Sequence, residues 1–263
     1  MTLLNGTVAT ADDLAPLAFA GFAHFTAMQI RDRSVRGLDL HLKRLRDASD
    51  AMFGRHLPDA QIVGYLRVAL EAGAENASLT CFITSYPGEF VAPRSEVHLD
   101  VLTRMTDAVR APLGPLELDV VSHERDLPHV KHVGEVAKTL LLRQASLRGF
   151  DDAAFEDSEG RLSEATIWNL AFWDGSSVVW PEANILSGIT MQILKRQLSA
   201  LGVAQKTQPI RRNESLDKLA GVVMNSWTPG IAVSRIGDRR LIADADFTGL
   251  LHSAYTHEHL EVV

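Results

Sequence analysis

The alternation of apolar and polar positions divides the chain into strand-like and helix-like stretches. Residues 17–30 mix Phe, Ala, Thr and Ile without proline and alternate in their later part, which predicts a strand. The polar run 31–37 then turns the chain into a second short extended piece, a hairpin pattern. From Asp39 the period changes: Leu42, Leu45, Ala48 and Met52 recur at three- and four-residue steps and predict a helix with one apolar face. Pro58 and Gly73 bound a second helix with Ile62, Leu66, Ala69 and Leu70 inward. Strands follow at 77–85 and 97–103, separated by a loop at 86–93.

The run Ala111-Pro112-Leu113-Gly114-Pro115 reads as a linker. Beyond it lie a strand at 116–121 and a helix over 134–148 that ends at Gly149 and buries Val136, Ala137, Leu140, Leu141 and Ala145. Residues 152–156 and 161–163 flank the turn 157–160 as a hairpin, and 166–172 and 177–180 pair around another. A helix over 188–200, strands at 221–225, 231–236 and 240–242, and a final helix over 246–259 complete the chain. The pattern is α/β (α+β) with two domains: a small N-terminal α/β domain at 1–110, linker and first strand at 111–126, and a larger strand-rich domain with helices at 127–263.

Composition narrows the class. Of 263 residues, 46% are hydrophobic and 22% charged, as in soluble globular proteins, and the net charge of -7 gives no support for nucleic acid or anionic membrane as partner. The N-terminus lacks a signal-peptide pattern and no apolar run is long enough to span a bilayer, so a cytoplasmic location is expected. The single cysteine, Cys81, excludes an internal disulfide and a Cys-rich metal site; no metal is expected, and Cys81 reads as a buried strand residue.

Three segments carry candidate chemistry. Leu127-Pro128-His129-Val130-Lys131 presents a lysine in an apolar, histidine-flanked setting, which favours the neutral amine that a Schiff-base lysine needs for part of its cycle. On local grounds Lys131 also reads as a surface lysine before a helix, and Lys138 is a rival that reads as a solvated partner of Glu135. In Gly160-Arg161-Leu162-Ser163-Glu164-Ala165-Thr166-Ile167-Trp168-Asn169, Glu164 offers a carboxylate and Asn169 a strand-edge amide; an exposed hairpin glutamate is an equal reading. In Leu186-Ser187-Gly188-Ile189-Thr190 a glycine precedes a helix start, where free amides can grip an anion. His41-Leu42-Lys43-Arg44-Leu45 puts Arg44 one turn after His41, as a solvated basic face or as a phosphate fork.

In this order and spacing the segments resemble the fold-type IV pyridoxal-phosphate family, which includes branched-chain and D-amino-acid aminotransferases and aminodeoxychorismate lyase. The resemblance extends from about Phe25 to about Leu241. It implies a barrel-like larger domain, pyridoxal 5'-phosphate as cofactor, and a homodimer. It makes Lys131 the aldimine lysine, Glu164 the partner of the pyridine nitrogen with Asn169 in support, and Arg44, Gly188, Ile189, Thr190 and Ser226 the phosphate cup. Phe25, Thr26 and Gln29 align with pocket-lining strand positions, and Tyr86 and Trp227 are further pocket candidates; core, surface or packing roles stay open for each.

The implied reaction is transamination between an amino acid or amine and a 2-oxo acid. A lyase of the aminodeoxychorismate type, and a binder of pyridoxal phosphate or phosphate without turnover, are the alternatives. One departure stands out: Thr84-Ser85-Tyr86-Pro87-Gly88-Glu89 lies where members that bind substrate carboxylate through an arginine carry Arg-Gly or Arg-x-His.

Overall fold

The computed structural model describes residues 1–86, 97–214 and 216–263, the side chains of Ala20 and Tyr86 excepted. The chain divides into two compact units, one comprising Met1–Val109, Val130–Glu135 and His259–Val263, the other Arg110–His129 and Val136–Glu258.

The first unit begins with β1 (Thr2–Leu4), β2 (Thr7–Val8), β3 (Ala23–Ile30), β4 (Ser34–Arg36), α1 (Leu38–Phe53), α2 (Asp59–Ala72), β5 (Ala77–Tyr86) and β6 (His98–Asp107). Five strands form a sheet in the order β2-β1-β6-β5-β3. Alternation along these strands turns Met28, Ile30, Leu79, Cys81, Ile83, Val101 and Met105 to one face, against Leu45, Phe53, Ile62, Leu66 and Ala69 of the helices. Cys81 lies in this core, and burial pushes its thiol up to about 12, which suits a packing residue rather than a nucleophile. Much of the loop expected at 86–93 lies outside the described residues.

The second unit contains β7 (Leu116–Ser122), α3 (Val136–Leu147), β8 (Asp152–Glu156), β9 (Leu162–Ala165), β10 (Asn169–Trp173), β11 (Val178–Pro181), α4 (Ile189–Ala200), β12 (Gln205–Gln208), β13 (Ala220–Asn225), β14 (Thr228–Ile236), β15 (Arg239–Arg240) and α5 (Ala245–Thr256). Its strands run in the order β12-β11-β10-β13-β14-β7-β8-β9, and a pairing of β9 with β10 closes six of them into a ring. Leu118, Leu162, Leu170, Phe172, Val223, Val233 and Ile236 fill one face of this sheet. Ala171, Val222 and Met224 point the other way, to Met191, Leu194, Phe247 and Leu251 of α4 and α5. Covering on both faces explains why β13 is nearly all apolar.

Several expectations need correction. The expected hairpin turn forms, with Arg31 and Ser34 exchanging backbone hydrogen bonds at 3.0 and 2.9 Å, but beyond that single bridge β4 pairs instead with a last strand, β16 (Leu260–Val262). The catalytic-lysine candidate segment 130–135 groups with the first unit because Lys131 C=O accepts Phe25 N–H at 2.8 Å and Val133 N–H donates to Ala23 C=O at 3.0 Å, which extends the free edge of β3. In α3, Ala145 is buried, but Val136 and Leu140 are 83% and 54% exposed rather than inward. Residues 166–168, expected in a strand, form the turn before β10. Among the described residues, no helix is long and apolar enough to cross a membrane.

Candidate active site

In the second unit the site grows from the β9–β10 hairpin. Glu164 and Asn169 face each other in register across it, and the tip closes where Ala165 N–H donates to Trp168 C=O at 2.8 Å. The tip is pinned by Asp152, the first residue of β8. Its Oδ1 accepts Thr166 N–H at 3.2 Å and Thr166 Oγ1–H at 2.7 Å, and its Oδ2 accepts Trp168 Nε1–H at 3.0 Å. Burial pushes the Asp152 carboxyl up, against the opposing pull of these donors.

Glu164 is only 3% exposed. Its Oε1 lies 3.5 Å from Arg125 Nη1 and 3.4 Å from Lys138 Nζ, and its Oε2 accepts Leu186 N–H at 3.2 Å. A carboxylate this far from water requires such partners to be stable as an anion. Arg125 also donates to Pro128 C=O at 3.2 Å. The carboxylate facing Lys138 within this unit is therefore Glu164, and the exposed-hairpin reading of Glu164 does not describe a residue this deeply buried.

Asn169 Nδ2 donates to Leu186 C=O at 2.8 Å, two residues before Gly188. Gly188 precedes α4 in an extended conformation, and no side chain caps the helix. The first amides of α4 are thus the groups an anion would satisfy. A Cβ at Gly188 would lie 1.9 Å from Asn169 Oδ1, so this close approach requires glycine. Ile189 and Thr190 are buried at the helix start, and Thr190 Oγ1–H donates to Asn225 C=O at 2.8 Å. That bond ties α4 to the turn carrying Ser226 and Trp227 between β13 and β14 and commits the hydroxyl proton within the protein. Trp227 packs edge-on against Trp168, with ring centroids 5.7 Å apart.

In the first unit, Lys131 Nζ lies 4.9 Å from the centroid of the Phe25 ring, which itself pairs with Phe82 across the strands. Gln29 shares the Phe25 face and hydrogen-bonds Ser78 Oγ at 2.9 Å. Thr26 does not join them. Strand alternation turns it to the opposite face, fully buried, where Oγ1 lies 2.6 Å from His41 Nδ1. Burial, then the charge of Arg44, push the His41 imidazole down to about 3 against the pull of Asp39. His41 is thus a packing residue, while Arg44 is half-buried one turn further along α1. The Tyr86 side chain lies outside the described residues.

The second unit thus brings together Glu164, Asn169, Gly188, Ile189, Thr190 and the turn of Ser226, and the first brings together Lys131 and Phe25. Sequence reasoning missed Arg125, Asp152 and the contact of Lys138 with Glu164, because each reaches its partner across strands and turns. An arginine shortly before the lysine segment and an aspartate opening β8 were the only local signals. A buried anion beside an uncapped helix start fits the two ends of pyridoxal phosphate, its protonated ring nitrogen and its phosphate.

Comparison with solved structures agrees on the fold. Branched-chain amino acid aminotransferase from Escherichia coli superposes with a TM-score of 0.83 at 18% identity, covering 97% of this chain and 92% of that one. A hypothetical aminotransferase from Mycobacterium tuberculosis in its PLP-bound form gives 0.80 at 18% identity, with 98% and 99% covered. A putative 4-amino-4-deoxychorismate lyase from Legionella pneumophila gives 0.81 at 16% identity, with 96% of each covered. Residues 23–236 match the sequence model described as amino-transferase class IV, and the chain belongs to that family.

Proposed function

We propose that the protein is a pyridoxal-phosphate-dependent aminotransferase that moves an amino group between an amino acid or amine and a 2-oxo acid. The observation that carries this reading is the buried Glu164 carboxylate, flanked by Arg125 and Lys138 and joined through Leu186 to the start of α4. Family membership supplies the expected cofactor. When bound, pyridoxal phosphate supplies an aldehyde for the lysine and a ring that withdraws electrons while its nitrogen is protonated.

Glu164 would hold the proton at that ring nitrogen, with Arg125 and Lys138 beside its carboxylate. Lys131 Nζ would hold the cofactor and would move the proton at the substrate carbon. The Phe25 ring covers one side of Nζ and restricts water there. The amides of Ile189 and Thr190 bind phosphate, with Arg44 and Ser226 in the same role; the Thr190 hydroxyl braces Asn225 instead. Phe25, Gln29, Tyr86 and Trp227 are the pocket candidates that remain.

The same reading takes the enzyme as cytoplasmic and as a homodimer. Val136, Leu140 and Leu147 form one exposed apolar stripe along α3, suited to a subunit interface. The lyase relative of similar fold keeps a second reaction in view. Incubation of the reconstituted protein with amino donors and 2-oxo acids, read by mass spectrometry, separates the two. Amino exchange that requires both partners supports the aminotransferase; one-substrate cleavage without an acceptor supports the lyase, and no turnover supports a binder.

A further inference from the structure

We propose that Asn169 is a positioning residue that couples the Glu164 carboxylate to the phosphate-binding start of α4, rather than a contact to the cofactor itself. The inference rests on the reading of Glu164 and α4 given above.

Both polar groups of one peptide segment are held by the hairpin. Leu186 N–H donates to Glu164 Oε2 at 3.2 Å, and Leu186 C=O accepts Asn169 Nδ2–H at 2.8 Å. Glu164 and Asn169 are themselves register partners, so the three residues close a small ring. All are buried, with Glu164 3%, Asn169 7% and Leu186 8% exposed.

The other amide atom of Asn169 lies beside the same segment. Its Oδ1 packs against Gly188, at the position where a Cβ would come within 1.9 Å. Asn169 therefore grips the segment at Leu186 and seats it at Gly188, immediately before the first residues of α4. The donor side of the amide is thus engaged by the Leu186 carbonyl. Through this grip, the separation between the carboxylate at the ring nitrogen and the amides at the phosphate is fixed by the hairpin register.

Asn169→Ala leaves the buried Leu186 carbonyl without its donor, and Asn169→Asp keeps the shape but sets an acceptor against that carbonyl. The test titrates apo protein with pyridoxal phosphate and with pyridoxal, which lacks the phosphate, with circular dichroism to confirm folding. Wild type prefers the phosphorylated form. Each Asn169 variant lowers that preference about tenfold or more while pyridoxal affinity stays within about twofold. Gly188→Ala lowers it too, and Asn169→Ala combined with Gly188→Ala loses less than the sum, because the clashing Oδ1 is gone.

Equal weakening of both ligands, or an unchanged preference, overturns the positioning role. If wild type does not distinguish the two ligands, the phosphate reading of α4 fails instead. If Glu164→Gln leaves the affinity for pyridoxal unchanged, the ring-nitrogen reading fails.

Discussion

At Glu164, desolvation competes with pairing. Burying a carboxylate costs several kcal/mol, and Glu164 meets that cost with Arg125, Lys138 and the Leu186 amide on one side chain. The opposite choice is made at His24 and His41, which are buried as neutral rings. His24 Nε2 lies 2.8 Å from Ser49 Oγ, and burial pushes this imidazole down to about 4. His41, pushed down to about 3, lies against Thr26. Both values lie below the ordinary 6.5, so as pH falls the unfolded chain takes up protons before the folded one. Their effect is absent above 6.5, and stability is lost as pH drops through 6.5 toward 4 and 3. The loss at about pH 5 is on the order of 2 kcal/mol for each histidine. Urea unfolding at about pH 7.5 and about pH 5 measures it, and His41→Gln makes the difference smaller. The roles proposed for Lys131 and Glu164 come from the resemblance of their segments to a known family, since local sequence alone read each as readily as a surface residue. Arg125, Lys138 and Asp152 were not legible, because their roles depend on partners that the fold brings close from well apart in sequence.

At the scale of elements, the β9–β10 hairpin is the unit that matters, and its tip is set by Asp152 rather than by turn residues of its own. Asp152→Ala orphans the Thr166 and Trp168 donors and is expected to cost about 2–4 kcal/mol in denaturant unfolding. It also weakens binding of pyridoxal phosphate, since Glu164 and Asn169 are the residues that the tip spaces apart. Unchanged stability would show that the turn holds itself. Helices were legible from their periods, and most strands from alternation or short apolar runs. β12 and the pairing of β4 with β16 were not: Gln205-Lys206-Thr207-Gln208 has no apolar face, and β16 finds its partner from the far end of the chain. Of the two readings left open for Thr26, the core one holds, since adjacent strand residues cannot share a face.

At the scale of the whole molecule, the apolar stripe on α3 is a feature a single chain leaves exposed, with Val136 83% and Leu147 79% accessible. If the proposed homodimer forms through that stripe, Leu140→Glu in its middle shifts it to monomer in sedimentation velocity, with a stability change within about 0.5 kcal/mol. A dimer that persists would place the interface elsewhere. The central claim is that Lys131, not Lys138, carries the cofactor. Borohydride reduction of protein reconstituted with pyridoxal phosphate, followed by peptide mass mapping, tests it directly. The account predicts a pyridoxyl group on the peptide bearing Lys131, lost in Lys131→Ala and retained in Lys138→Met. A pyridoxyl group confined to Lys138, or none at all after reconstitution, would contradict it.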